Sequence, residues 1–424
     1  MKLFLLFAFL FSVAHGQKLI NLNTLKGGNE VNQLNSYAPC GIYVSAASDN
    51  TATLQNIFVV QKDGTKTSLY DIKSKTSNGK MTPLVVIDTA TLTTSLNTNV
   101  LKGLNGVIYL SLTAQYNNKN FNVYDVSSTF NFNLKPVTVE TLTLFLNTYR
   151  GTNPLQSSII SQWNQDPSSS SYIYAGIPQD QTESKNTQIF SNPVVSDKFT
   201  QYFSNVEKFT LASTVAFYLR TSNGGPSFRV EPGSWNIGES TTSAYSTTGF
   251  FMRPQGKMDG TVTTVHIKRD TSYSGTSGAN MLGSLENRGK VSVSYNDGAS
   301  AYDDNTVPNP FFSPWSIPVI GENLKISATS GESGYYYVQY FVLQGGKKGS
   351  PTSGPGQIET TTKASGAPTV PNPGAPTVPN PGAPTVPNPG APTVPGRVET
   401  TTKSSDSIKI LFPILIFISF TWSV

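Results

Sequence analysis

The sequence predicts an all-β protein: two antiparallel β-sandwich modules followed by a disordered stalk rich in proline and threonine. Three observations predict it. Of 424 residues, 37% are hydrophobic and 13% charged, and most of the rest are Ser, Thr, Asn, Gly and Pro. That is too little apolar side chain for helices with broad buried stripes, but enough for strands that bury every second residue. Short alternating runs also recur about every ten residues with turn formers between them, the spacing of antiparallel sandwiches. Finally, one proline-rich unit repeats in register towards the carboxyl end.

Residues 1–16 read as a secretory signal peptide. Lys2 precedes an apolar run, Leu3 to Val13, and Ala14-His15-Gly16 supplies the small-residue cleavage region before Gln17. As a helix that apolar run rises only about 16 Å against a hydrocarbon core of about 30 Å, so it is too short to span.

Residues 17–166 form the expected first module. Gly41 to Ala47, Leu54 to Val60, Thr67 to Ile72, Thr82 to Ile87 and Gly106 to Thr113 alternate as strands, and Thr138 to Leu146 does the same. Lys62-Asp63-Gly64 and Ser77-Asn78-Gly79 are hairpin signals. Leu155 to Trp163 reads as a short helix, and residues 167–192, rich in Ser, Gln and Asn, as a linker. The second module, 193–345, carries strand patterns at Phe209 to Arg220, Phe228 to Glu231, Gly249 to Arg253, Thr261 to Lys268, Lys290 to Tyr295, Asn323 to Ala328 and Tyr335 to Leu343.

The stalk, 346–403, holds the unit Gly366-Ala367-Pro368-Thr369-Val370-Pro371-Asn372-Pro373, repeated from Gly374 and Gly382 and shortened from Gly390. Three prolines per unit remove amide donors and fix φ, which favours extended polyproline II over helix or sheet. Thr beside Pro is the composition of O-glycosylated stalks, so Thr369, Thr377, Thr385 and Thr393 are candidate sites. No Asn-x-Ser/Thr triplet occurs anywhere, so N-glycans are not expected.

Residues 404–424 read as a signal for a glycosylphosphatidylinositol (GPI) anchor. Small residues and a short polar spacer precede the apolar run Ile410 to Val424, with Ser404 or Ser405 as the attachment residue. A helix of that run would measure only about 22 Å, which makes a retained span the weaker alternative.

The composition excludes several chemistries. With His15 in the leader, His266 is the one mature histidine and Cys40 the one cysteine, so neither a His/Cys metal cage nor an internal disulfide can form. A net charge of +5 without a basic block argues against nucleic acid as a partner. His266 falls on the Thr264/Lys268 face of its strand pattern, the polar face, and no Gly-x-Ser-x-Gly elbow is present. Cys40 reads as a free thiol or an intermolecular bridge, hence a dimer. Asp297, Asp303 and Asp304 gather oxygen ligands without the EF-hand spacing, so turn formation is the default reading and metal the weaker one. Phe311, Phe312 and Trp315 lie in a proline-broken segment expected as a loop, whose default reading is an aromatic plug tucked into a sandwich end; in the weaker reading the aromatic faces meet a carbohydrate or an extracellular protein.

A signal peptide, two polar β-rich modules, a Thr/Pro stalk and an anchoring tail together resemble nematode secreted surface proteins that carry CUB-like domains. The run Gly334-Tyr335-Tyr336-Tyr337-Val338-Gln339-Tyr340-Phe341 is similar to the apolar final strand of a CUB sandwich. The resemblance implies CUB-like or jelly-roll sandwiches, a surface binding role linked to host defence, and no catalytic residues. The chain departs from the pattern in lacking paired cysteines. The expectation is therefore a GPI-anchored extracellular binding or surface-coat glycoprotein without catalysis or cofactor. A carboxylate-dependent surface hydrolase and a structural matrix component are the alternatives.

Overall fold

The computed structural model describes residues 17–349 except 35–36, 135–138, 149–155, 179–187, 196–199, 213, 235–239, 243–245, 254–262, 268–271, 273–275, 286–289, 296–300, 306–310, 318–322, 329–333 and 344. Between 253 and 335 the description is chiefly of the backbone. The chain divides into the units Met1–Ser353 and Gly354–Val424, and the second lies outside the described residues. The described fold is all-β, in antiparallel and mixed sheets with a few one-turn helices.

Two four-stranded sheets begin it. In the first, Lys18–Asn21, Gly106–Leu112, Cys40–Ala46 and Leu84–Val86 lie side by side, all antiparallel. In the outer one, Asn32–Gln33, Ala90–Thr94, Ile57–Gln61 and Lys66–Ser68 do the same. Ile42, Val44, Ile57, Val59, Leu92, Ile108 and Leu110 share one core cluster, closed by Leu69, Ile72 and Leu101 from short helices.

The central seven-stranded sheet runs Gln188–Asn192, Ser170–Ala175, Ala216–Ser222, Thr141–Leu146, Phe121–Asp125, Lys80–Met81, Thr76–Ser77. It is buried on both faces. Leu144, Leu146, Ala216 and Tyr218 pack with Tyr43, Val107 and Tyr109 of the first sheet. The residues that alternate with them, Phe145, Phe217 and Leu219, pack with Phe132, Ile160, Phe209, Phe228 and Val230. Those five belong to a fourth sheet of Phe130–Asn133, Ser227–Ser234, Gln156–Asn164 and Phe209–Ala212. The two-residue period of a strand does this: one apolar run feeds two cores by alternation.

A fifth sheet orders Asn205–Val206, Thr247–Arg253, Gly334–Leu343, Thr276–Leu285 and Phe311–Ile317. A sixth orders Ser240–Thr242, Thr263–Ile267, Asn323–Ala328, Lys290–Tyr295 and Ala301–Asn305. At Gly249 a Cβ would stand 2.1 Å from the Tyr340 Oη, so only glycine fits beside that ring.

Both hairpin signals hold. Gly64 sits at φ +83°, and Asp63 Oδ1 accepts from the Thr65 amide at 2.8 Å. Asn78 and Gly79 take φ of +47° and +77°, as a tight two-residue hairpin turn requires.

The structure corrects several expectations. Residues 167–192 are not a linker. Ser170–Ala175 and Gln188–Asn192 pair with each other, and Ser170–Ala175 also pairs with Ala216–Ser222, so the central sheet draws strands from both expected modules. The signal lay in the alternation of Tyr172 and Tyr174 with Ser171 and Ile173, submerged in a polar composition. Gln156–Asn164 forms a strand where the sequence predicts a helix over 155–163, because Ile160 and Trp163 join a sheet core. The pattern Thr67 to Ile72 splits into a strand and the helix Leu69–Ser74, started by Ser68 Oγ accepting from the Asp71 amide at 3.0 Å.

Candidate functional site

Phe311, Phe312 and Trp315 lie in the strand Phe311–Ile317, opposite Gly283, Leu282 and Ala279, and not in a loop. That strand is the last in its sheet. An edge position explains how Pro314 is tolerated, because its missing N–H can face away from the ladder. Asp303 and Asp304 are likewise strand residues, opposite Ser292 and Val291, while Asp297 lies outside the described residues. His266 pairs with Asn323 and Thr241 in a mixed sheet. Among the described residues no group of three His, Cys, Asp or Glu is placed to hold a metal ion. Thr369, Thr377, Thr385, Thr393, Ser404 and Ser405 lie outside the described residues.

Cys40 opens its strand opposite Val86 and Leu112 and is 2% exposed. Burial pushes its thiol up to about 11, so it stays protonated at neutral pH. Bridging to a second chain would require this strand end to open.

The polar groups that the structure brings together are ones the sequence did not single out. Asp125 is buried at the end of a central strand. Its Oδ1 accepts from Ser45 Oγ at 2.9 Å and from the Ser127 amide at 3.0 Å, and its Oδ2 accepts from Ser127 Oγ at 3.0 Å. Ser45 and Thr148 hydroxyls meet at 2.9 Å behind it. Desolvation raises the carboxyl above its ordinary range, against the smaller opposing pull of its hydrogen bonds and of Lys73. With all these donors already engaged, the cluster ties the first sheet to the central one.

A second cluster seals the edge of the central sheet. Gln339 Nε2 donates to the Ser191 carbonyl at 2.7 Å and to Thr248 Oγ1 at 3.0 Å, and its Oε1 accepts from the Ser191 amide at 2.8 Å. One side-chain amide thus takes the place of a neighbouring strand on an edge that would otherwise be unpaired. Tyr340, in the next position, donates to Glu207 Oε2 at 2.7 Å, and burial together with that carboxylate lifts its phenol well above 10.

A groove of about 400 Å³ opens at one end of the central sheet, lined by Leu19, Gly176, Ile177, Thr214, Val215 and Tyr337 among others. Gly176 turns there at φ +86° and donates to the Ala216 carbonyl at 2.9 Å. Trp163 lies away from it in the core, stacked on Phe228 at 5.0 Å. Two arginines are paired: Arg220 with Glu140 at 3.0 Å and Arg229 with Glu231 at 3.2 Å.

Comparison with curated proteins finds no match. Among solved structures, the crystal structure of the infectious bursal disease virus VP2 subviral particle aligns with 10% identity over 75% of this chain and 73% of that one, at a TM-score of 0.14. The model of one family, described as transmembrane glycoprotein, matches residues 37–419. That span takes in all but the first two strands, the repeats and much of the apolar tail, and the chain therefore belongs to this transmembrane glycoprotein family, whose members are surface or membrane glycoproteins.

Proposed function

We propose that the protein is a GPI-anchored extracellular binding or coat glycoprotein, exported by cleavage before Gln17 and working without catalysis. The carrying observation is family membership across 37–419, read with an apolar tail that follows small residues at Ser404 and Ser405. No Asn-x-Ser/Thr triplet is available, so its sugars are O-linked, on the stalk threonines Thr369, Thr377, Thr385 and Thr393. Lateral mobility in the membrane lets weak contacts with carbohydrate or extracellular protein act together. CUB-like modules and a part in host defence belong to the same reading and rest on the resemblance alone. Phosphatidylinositol-specific phospholipase C tests the anchor: release from intact cells supports it, and retention beside a released control anchor overturns it.

A second reading has one observation in its favour. The family is described as transmembrane and its match reaches residue 419, inside the run Ile410 to Val424. On that reading the tail stays in the bilayer, and a carboxyl-terminal peptide ending at Val424 would be recovered from mature protein.

A further inference from the structure

Gln17 stands immediately before the strand Lys18–Asn21, which pairs with Gly106–Leu112 through Lys18 and Leu110. Its side-chain amide is held. The hydroxyl of Tyr109, a residue wholly buried within the sheet, donates to Gln17 Oε1 at 2.5 Å. Gln115 Oε1 lies 3.2 Å from the same hydroxyl and accepts from the Leu112 amide at 3.0 Å. With one proton to give, the hydroxyl serves the closer oxygen, that of Gln17.

A donor fixed on an amide oxygen polarises the carbonyl carbon and stabilises the oxyanion formed when a nucleophile adds to it. On a chain cut before Gln17, a nucleophile lies in the same residue, the α-amine. We infer that Gln17 is a modification site, at which the mature amino terminus closes to pyroglutamate with Tyr109 as its positioning residue. The inference rests on the leader reading above.

In the step, the lone pair of the neutral α-nitrogen adds to Cδ, and charge develops on Oε1 against the Tyr109 hydroxyl. The Cδ–Oε1 double bond re-forms as the Cδ–Nε2 bond breaks. One proton passes from the α-nitrogen to Nε2, which leaves as ammonia. No oxidant or other reactant is consumed. The product keeps Oε1 as a lactam carbonyl, which is still a hydrogen-bond acceptor. The terminal positive charge is lost, and the edge strand begins with a group that aminopeptidases cannot grip.

The test is the mass of the amino-terminal peptide from the full chain recovered at the cell surface. A peptide starting at residue 17, lighter by one ammonia than its glutamine form and refractory to stepwise degradation from the amine, is the expected result. A peptide starting at Gln17 with a free amine overturns the modification and leaves the leader reading intact. A peptide starting elsewhere overturns both. The role of Tyr109 is read by exposing Gln17 on the purified full chain with a site-specific protease and following loss of the amine. Tyr109→Phe should slow closure about tenfold, the loss of roughly one net hydrogen bond in the transition state. If that variant does not fold, the wild-type chain in denaturant replaces it: closure as fast unfolded as folded overturns the assistance.

Discussion

Ser45 donates a 2.9 Å hydrogen bond to Asp125 across 80 residues of sequence, and it does so between two sheets that share the apolar cluster of Tyr43, Val107, Leu144 and Leu146. Removing the donor leaves a buried carboxylate with less support. Ser45→Ala should lower stability by about 1–3 kcal/mol, the cost of an unmet buried partner, read as a shift in the urea midpoint with unchanged slope.

The same carboxyl gives a pH dependence whose sign is fixed. Desolvation raises its folded pKa above the unfolded value, so its contribution is fully present below the unfolded pKa and is lost as pH rises through the folded one. Asp63, Asp88 and Asp166 are shifted downward and act in the opposite sense. Asp125→Asn keeps an oxygen for Ser45 and cannot ionise. Subtracting the two unfolding profiles should therefore isolate Asp125, with the wild type losing ground to the variant as pH rises.

At Gly249 the added methyl group of alanine would overlap the Tyr340 ring, whose Cζ lies 2.2 Å from the Cβ position. Tyr340 cannot swing away without abandoning Glu207. Gly249→Ala should cost about 1–3 kcal/mol or more by overpacking, seen as a lower thermal midpoint.

A fragment ending at residue 166 should fail to fold. Thr141–Leu146 would lose Ala216–Ser222, and Phe145 would lose the Phe217 ring stacked on it at 4.9 Å. Circular dichroism and amide exchange on fragments 17–166 and 17–349 check this, with cooperative unfolding expected of the longer one alone.

Native protein should resist alkylation at Cys40, because the thiol is buried and pushed up to about 11. Labelling with iodoacetamide should require denaturant. Fast labelling of the folded chain would show that the strand end opens, and would restore a bridged dimer as a realistic state.

Much of this fold is legible in local patterns. The two hairpins could be read because glycine at positive φ is a local demand, met within four residues at Lys62 to Thr65 and Ser77 to Lys80. The strand patterns at Gly41 to Ala47 and Gly106 to Thr113 match observed strands closely, because runs of β-branched and aromatic residues are likewise a local signal. Module boundaries were not legible, since the pairing of Thr141 with Thr221 depends on topology and leaves no local trace. Nor was the Asp125 cluster, for Ser45, Asp125 and Thr148 are unremarkable residues until the sheets stack. The aromatic run at 311–315 misled because proline is a strong breaker inside a sheet and a weak one at its rim.

A sheet wetted on neither side also limits how its family can diversify. Along Thr141–Leu146 each substitution presses on one packed layer or the other, so novelty in recognition must accumulate at rims, turns and outer sheets. Surveying natural variants should find the middle of the molecule monotonous and its margins inventive.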